Sequence, residues 1–126
     1  MLADLQEQVR ICLSVQPTPL RNGYAGKSPG TRGRTGLATK LLAESITVNI
    51  GRTYRFYEGE RRVDVFDIAV FLEDLLSAVP EETRERYADK LSTNSDPAKI
   101  EIAESVVKAL EEKWVFSYHP ANAPLY

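Results

Sequence analysis

The sequence predicts an α+β fold: a small antiparallel sheet, made of a hairpin near residues 53–66 and a strand over 46–50, packed against two or three helices, with a long Gly/Pro/Arg loop over 16–36. Three observations predict it. Ile46-Thr47-Val48-Asn49-Ile50 alternates apolar and polar residues with period two, and the arms 53–57 and 62–66 are rich in aromatic and β-branched residues. Two later stretches, 67–79 and 97–114, carry apolar residues at the 3.6-residue period of amphipathic helices. Residues 16–36, by contrast, hold three of the seven prolines and five of the seven glycines, the composition of a connection.

Along the chain, Leu2, Leu5, Val9 and Cys12 recur at 3, 4, 3 spacing and read as a helix over 2–14. The alternation of Val9, Ile11, Leu13 and Val15 with Arg10, Cys12, Ser14 and Gln16 is the rival reading, a half-buried strand. Pro17 and Pro19 then end regular structure, because each fixes φ and lacks a donor. A loop of roughly 20 residues follows, and connections that long are usually functional or disordered. A short helix is expected over 37–45, with Leu37, Leu41 and Leu42 on one side, before the strand at 46–50. In the hairpin, Glu58-Gly59-Glu60-Arg61 is the turn, with Gly59 suited to positive φ, and alternation sets Tyr54 and Phe56 on one face against Arg55 and Tyr57 on the other.

Asp67 is placed to cap the next helix, in which Ile68, Ala69, Leu72, Leu75, Leu76 and Val79 form the central core stripe. Pro80 opens a mostly solvated helix over 81–91, where Glu82 and Arg86 pair across one turn. Asp96 before Pro97 marks the start of a helix over 97–114 carrying Ile100, Ala103, Val107, Leu110 and Trp114. Residues 117–126 form an extended tail, since Pro120 and Pro124 exclude helix there. At 126 residues the chain is expected to be one domain, 1–126, burying about two-thirds of its unfolded surface.

Composition narrows the chemistry. Cys12 is the only cysteine, so no intramolecular disulfide and no cysteine metal cluster can form. His119 is the only histidine, which removes every mechanism needing paired imidazoles. Met1-Leu2-Ala3-Asp4 opens no basic, then apolar, leader, so a cytoplasmic or otherwise intracellular protein without a membrane role is expected. Gly26-Lys27-Ser28 matches the end of a phosphate-binding loop, but the first glycine of that motif would fall on Arg21. Asp64, Asp67, Glu73 and Asp74 could form a metal-dependent nuclease set, yet capping and a polar helix face account for them.

The charge distribution is the strongest functional signal. From residue 10 to residue 43 there are six basic side chains and no acid, whereas residues 44–126 carry 10 basic and 16 acidic ones. Arg21, Lys27, Arg32, Arg34 and Lys40 supply fixed charge, and Tyr24 supplies a ring on which a base could stack. The expectation is a non-enzymatic interaction protein that needs no cofactor. It is an accessory, inhibitor or structural component docking through this basic loop on a protein partner or nucleoprotein assembly. The alternative is direct nucleic-acid binding by the same residues. A sequence pI near 5.5 argues against a dedicated DNA-binding domain.

Overall fold

The computed structural model of the chain describes residues 2–26 and 35–119. In chain order the elements are α1 (Leu2–Ser14), α2 (Thr18–Ala25), α3 (Thr35–Gly51), β1 (Tyr54–Glu58), β2 (Arg61–Arg62), α4 (Val65–Ser77), α5 (Glu81–Tyr87), α6 (Ser92–Lys113) and β3 (Val115–Tyr118). The architecture is α+β, a three-stranded antiparallel sheet of order β2-β1-β3 packed on helices. The buried side chains form one cluster that draws on all six helices and on β1. At its centre α3 packs against α1, α2 and α4, while α6 packs against α1, α4 and α5.

The helical reading of the first segment holds. Leu5, Val9, Cys12 and Leu13 are buried at helical spacing, whereas Ile11 and Val15, which a strand would bury with Val9 and Leu13, are exposed. Two other expectations are overturned. Residues 18–25 are helical rather than looped, because both prolines sit where a helix tolerates them. Pro17 is the N-cap residue and Pro19 lies in the first turn, where no intrahelical acceptor awaits an N–H. The helix stops at Gly26, whose φ of 70° is the left-handed conformation glycine adopts without strain. Residues 46–50 are not a strand but the last turns of α3. Ile46 and Ile50 are buried one turn apart with Leu42 and Ala43, and Val48, which alternation would bury with them, faces outward. The Thr47 hydroxyl donates to the Ala43 carbonyl at 2.8 Å, so a β-branched residue is accommodated within helix geometry.

The hairpin is present, with Tyr57 opposite Arg62 and Glu58 opposite Arg61, leaving Gly59-Glu60 as a two-residue turn. Gly59 has φ of 65° and no other described residue near it has positive φ, the pattern of a type II′ turn. Its second arm is shorter than expected. Val65 and Phe66 already belong to α4, and the cap is Asp64 instead of Asp67: its carboxylate accepts from the Phe66 N–H at 2.7 Å. Ile68, Leu72 and Leu76 are the buried stripe of α4. In α5, which ends at Tyr87 and not at 91, the Arg86 guanidinium donates to Glu82 at 2.8 Å as its spacing implied. Helix α6 begins at Ser92, ahead of the expected Asp96 cap, and takes Pro97 into its second turn. Asp96 pairs instead with Lys99 at 3.2 Å, and Ile100 points to solvent while Ile102 and Val106 join Ala103, Val107 and Leu110 inside.

Within the expected tail, Ser117 and Tyr118 are part of β3, which pairs with β1 from Tyr54 opposite Tyr118 to Tyr57 opposite Val115. Tyr54 and Phe56 face the core, as alternation required. Phe56 stands against Trp114 and Phe116, with ring centroids 6.4 and 5.4 Å away. Residues 120–126 of that tail lie outside the described residues.

Candidate functional site

The six residues singled out for partner contact separate into three groups. Lys27, Arg32 and Arg34 lie outside the described residues. Lys40 is exposed on α3. Tyr24 is turned inward by α2, which corrects the expectation that its ring reaches a partner, whereas Arg21 is half-buried with its guanidinium held by carbonyls at the end of α1.

Tyr24 is 0 % exposed, so it offers no stacking platform. Its hydroxyl donates to the Leu76 carbonyl at 2.8 Å, in the last turn of α4. Tyr87 does the same for α1, donating to the Leu13 carbonyl at 2.8 Å. Arg21 completes that helix end: its guanidinium donates to the carbonyls of Ser14 and Gln16. The last carbonyls of a helix lack intrahelical donors and carry its negative dipole end, so a cation and a phenol are well suited to them. The four side chains interlock. Arg21 lies over the Tyr87 ring at 5.3 Å, Tyr87 meets Tyr24 edge-on at 6.1 Å, and Arg84 lies over Tyr24 at 5.7 Å. Burial pushes both tyrosine hydroxyls well above their ordinary ionisation range, outweighing the opposing pull of the neighbouring guanidinium groups.

A different surface is built by α1 and α3. The Gln8 side-chain amide donates to the Asn49 carbonyl at 2.9 Å, Gln16 donates to the Ser45 hydroxyl at 2.9 Å, and the Cys12 sulfur lies 3.9 Å from that hydroxyl. These contacts set the two helices antiparallel along one seam. Exposed apolar residues of these segments are Ile11 of α1, Val15 just after it, and Leu37, Leu41 and Val48 of α3. Along α3 runs a groove of about 380 Å³ lined by Leu41, Glu44, Ser45, Val48, Asn49 and Arg52. Lys40 adjoins Leu37 three residues before it and Arg52 adjoins Val48 four residues before it, so cations stand toward both ends of the apolar row with Glu44 between them. Leu37 and Leu41 were visible as apolar positions of a short helix. Val48 was hidden by its assignment to a strand, and Ile11 and Val15 figured only in the rival strand reading of the first segment, which buries them.

The remaining candidates for chemistry are separate from one another. Cys12 is buried, with Ser45 and Gln16 as its polar neighbours, and burial raises its thiol pKa, which keeps it protonated. His119 stands beside the Ser117 hydroxyl at 3.0 Å on the exposed end of β3. Among the described residues no three His, Cys, Asp or Glu side chains gather where a metal ion could be held. Nor is any helix among them long and apolar enough to cross a membrane. No protein-family model, curated protein or solved structure matches the chain.

Proposed function

We propose that the protein is a non-enzymatic interaction component that docks on a protein partner within a larger complex, using the outer face of α1 and α3 together with the cations around it. The carrying observation is the exposed apolar row Leu37, Leu41 and Val48 on α3, with Ile11 and Val15 exposed on the helix packed beside it, and with Lys40 and Arg52 toward its ends and Glu44 between them. Contiguous apolar surface rimmed by polar groups is the usual mark of an interaction site. The segment that joins α2 to α3 adds Lys27, Arg32 and Arg34 without any acid, immediately before this face in the chain. The complementary partner is an amphipathic helix with carboxylates flanking its apolar stripe, since helix-in-groove binding reads apolar anchors at one-turn spacing. The rival, direct nucleic-acid binding, loses the aromatic platform that Tyr24 was to supply.

The test is quantitative affinity capture from cells. It compares the wild type with Val48→Asp and with a quadruple variant replacing Lys27, Arg32, Arg34 and Lys40 by Ala. The expected result is that both variants lose the same partner protein, and that this partner, purified, binds the wild type directly. A partner that is retained by Val48→Asp overturns the reading. So does tight binding to a generic oligonucleotide with a log K against log salt slope near 0.7 to 0.9 per neutralised phosphate, which transfers the basic segment to nucleic acid.

A further inference from the structure

Away from the α1–α3 face, α2, the turn after α5 and the start of α6 enclose a cleft of about 370 Å³. The structure assigns this cleft to the phosphate group of a small phosphorylated molecule. Three cations from three elements line it: Arg21 of α2, Lys90 of the turn and Lys99 of α6. Thr18, Ser92 and Ser95 add hydroxyls. Phosphate recognition calls for this combination of fixed positive charge and short-range donors.

Two observations inside the cleft point to a ligand rather than to a solvated charge cluster. Ser95 is 4 % exposed as a residue yet lines the cleft, in a place where Lys99 is the nearest charged side chain along its own helix face. Its hydroxyl is not among the buried side-chain atoms left without a partner, so it stays open to a ligand in the cleft. Lys99 is 8 % exposed, an unusual place for an ammonium group, and its one ion-pair partner, Asp96, is mostly in solvent. The start of α6 contributes as well. This 22-residue helix has no side-chain cap from Leu91, and its first intrahelical bonds run from the Asn94 and Ser95 N–H groups to the Leu91 carbonyl, so its positive dipole end faces the cleft.

Two carboxylates also border the cleft. Asp89 accepts from the Leu91 N–H at 2.9 Å and from the Asn94 side chain at 3.1 Å, so both its oxygens are engaged by the turn itself. Asp96 faces solvent with its one oxygen on Lys99. Arg21 is held by the α1 carbonyls and Lys99 by Asp96, but three cations against two carboxylates still leave the wall formally positive, with Lys90 free of any ion pair to a described residue. The volume lies at the lower end of the roughly 300–1,000 Å³ of small-molecule sites, which suits an organic body attached to the phosphate.

The experiment is an amide NMR titration of the isotopically labelled chain with inorganic phosphate and with ribose 5-phosphate, at ionic strength held constant with sodium chloride. Saturable shifts at the Ser92, Ser95 and Lys99 amides are expected for either phosphate. Lys99→Met keeps the apolar stem and releases Asp96 to water, so it folds, and it should weaken binding about tenfold. Ser95→Ala and Lys90→Ala should each weaken it by about threefold. Arg21 is not the test residue, because it also holds the end of α1. Shifts that sodium chloride alone reproduces, or Lys99→Met binding as the wild type does, overturn the assignment. The outcome is independent of the docking face, which shares none of these residues.

Discussion

Helix α2 and the first half of α3 lie in the acid-free span 10–43, each with one cation and several apolar residues, but they present them in opposite directions. In α2 Tyr24 is fully buried and Arg21 half-buried, and their polar atoms serve the carbonyl ends of α4 and α1. In α3 the buried row of Leu42, Ile46 and Ile50 leaves a second apolar row, Leu37, Leu41 and Val48, on the outside with Lys40. The difference follows from helix length and position. A two-turn helix wedged between α3 and α5 has few outward positions, whereas α3 is long enough to be apolar on more than its core face. Positive charge near a helix end can therefore mean cap or contact, and the carbonyls within reach decide which.

The comparison breaks most visibly at Tyr24. Tyr24→Ala removes a fully buried ring that closes the Arg21–Tyr87–Tyr24–Arg84 stack, and should cost about 3–5 kcal/mol in urea unfolding. Tyr24→Phe keeps the ring and loses only the donation to Leu76, so about 1 kcal/mol is expected. An equal loss in both would mean that the hydroxyl, not the packing, carries the site. Alkaline pH perturbs the same pair of tyrosines. Burial holds both phenols protonated in the folded state above the ordinary range near pH 10, while the unfolded chain ionises there. The folded state then binds more protons than the unfolded one. Stability is accordingly complete below pH 10 and falls above it, by up to about 1.4 kcal/mol per pH unit for each tyrosine. Unfolding midpoints of the wild type and of the Tyr24→Phe/Tyr87→Phe double variant, measured between neutral and strongly alkaline pH, test this: the decline should flatten in the variant.

The next effect is smaller and lies where the two regions touch. A Cβ on Gly23 would stand 3.1 Å from the Ala38 Cβ, closer than ordinary side-chain contact, so α2 approaches α3 through a position with no side chain. Gly23→Ala gains helix propensity but forces the crossing apart, and a net loss of about 1–2 kcal/mol is expected. Ala38→Gly in the same chain should restore most of it. Failure of that rescue would place the strain elsewhere.

The sequence disclosed elements whose signals were redundant and missed those that depended on partners. Helices α1 and α4 and the β1–β2 hairpin were legible because periodicity, turn chemistry and burial agree at Leu5, Val9, Gly59, Leu72 and Leu76. Helix α2 was concealed by Pro17, Pro19, Gly23 and Gly26, each of which reads as a loop residue in isolation. In place they are an N-cap, a first-turn residue, a helix crossing and a C-cap. The β-branched run at Ile46–Ile50 imitated a strand, and only its burial against Leu42 shows the longer period. Strand β3 carries four residues whose pairing with Tyr54 and its neighbours is a contact across some 60 positions, which no local pattern encodes. For the same reason Arg21 and Tyr24 could be marked as chemically capable without the carbonyls of Ser14 and Leu76 being foreseen.

The smallest expected effect is also the sharpest test of the outward-facing half. Val48 is 61 % exposed and Lys40 lies on the same helix surface, with no ion pair to a described residue. Substitutions at exposed positions away from caps and buried contacts usually change stability by less than about 0.5 kcal/mol. Val48→Asp and Lys40→Ala should therefore leave the urea midpoint almost unchanged, in contrast to Tyr24→Ala a few turns away. An aspartate at 48 places charge in the middle of the apolar row, so it abolishes docking of an apolar stripe while the fold persists. If Val48→Asp instead destabilised the chain by several kcal/mol, that row would have to be internal packing, and α3 would be serving its own domain on both faces as α2 does.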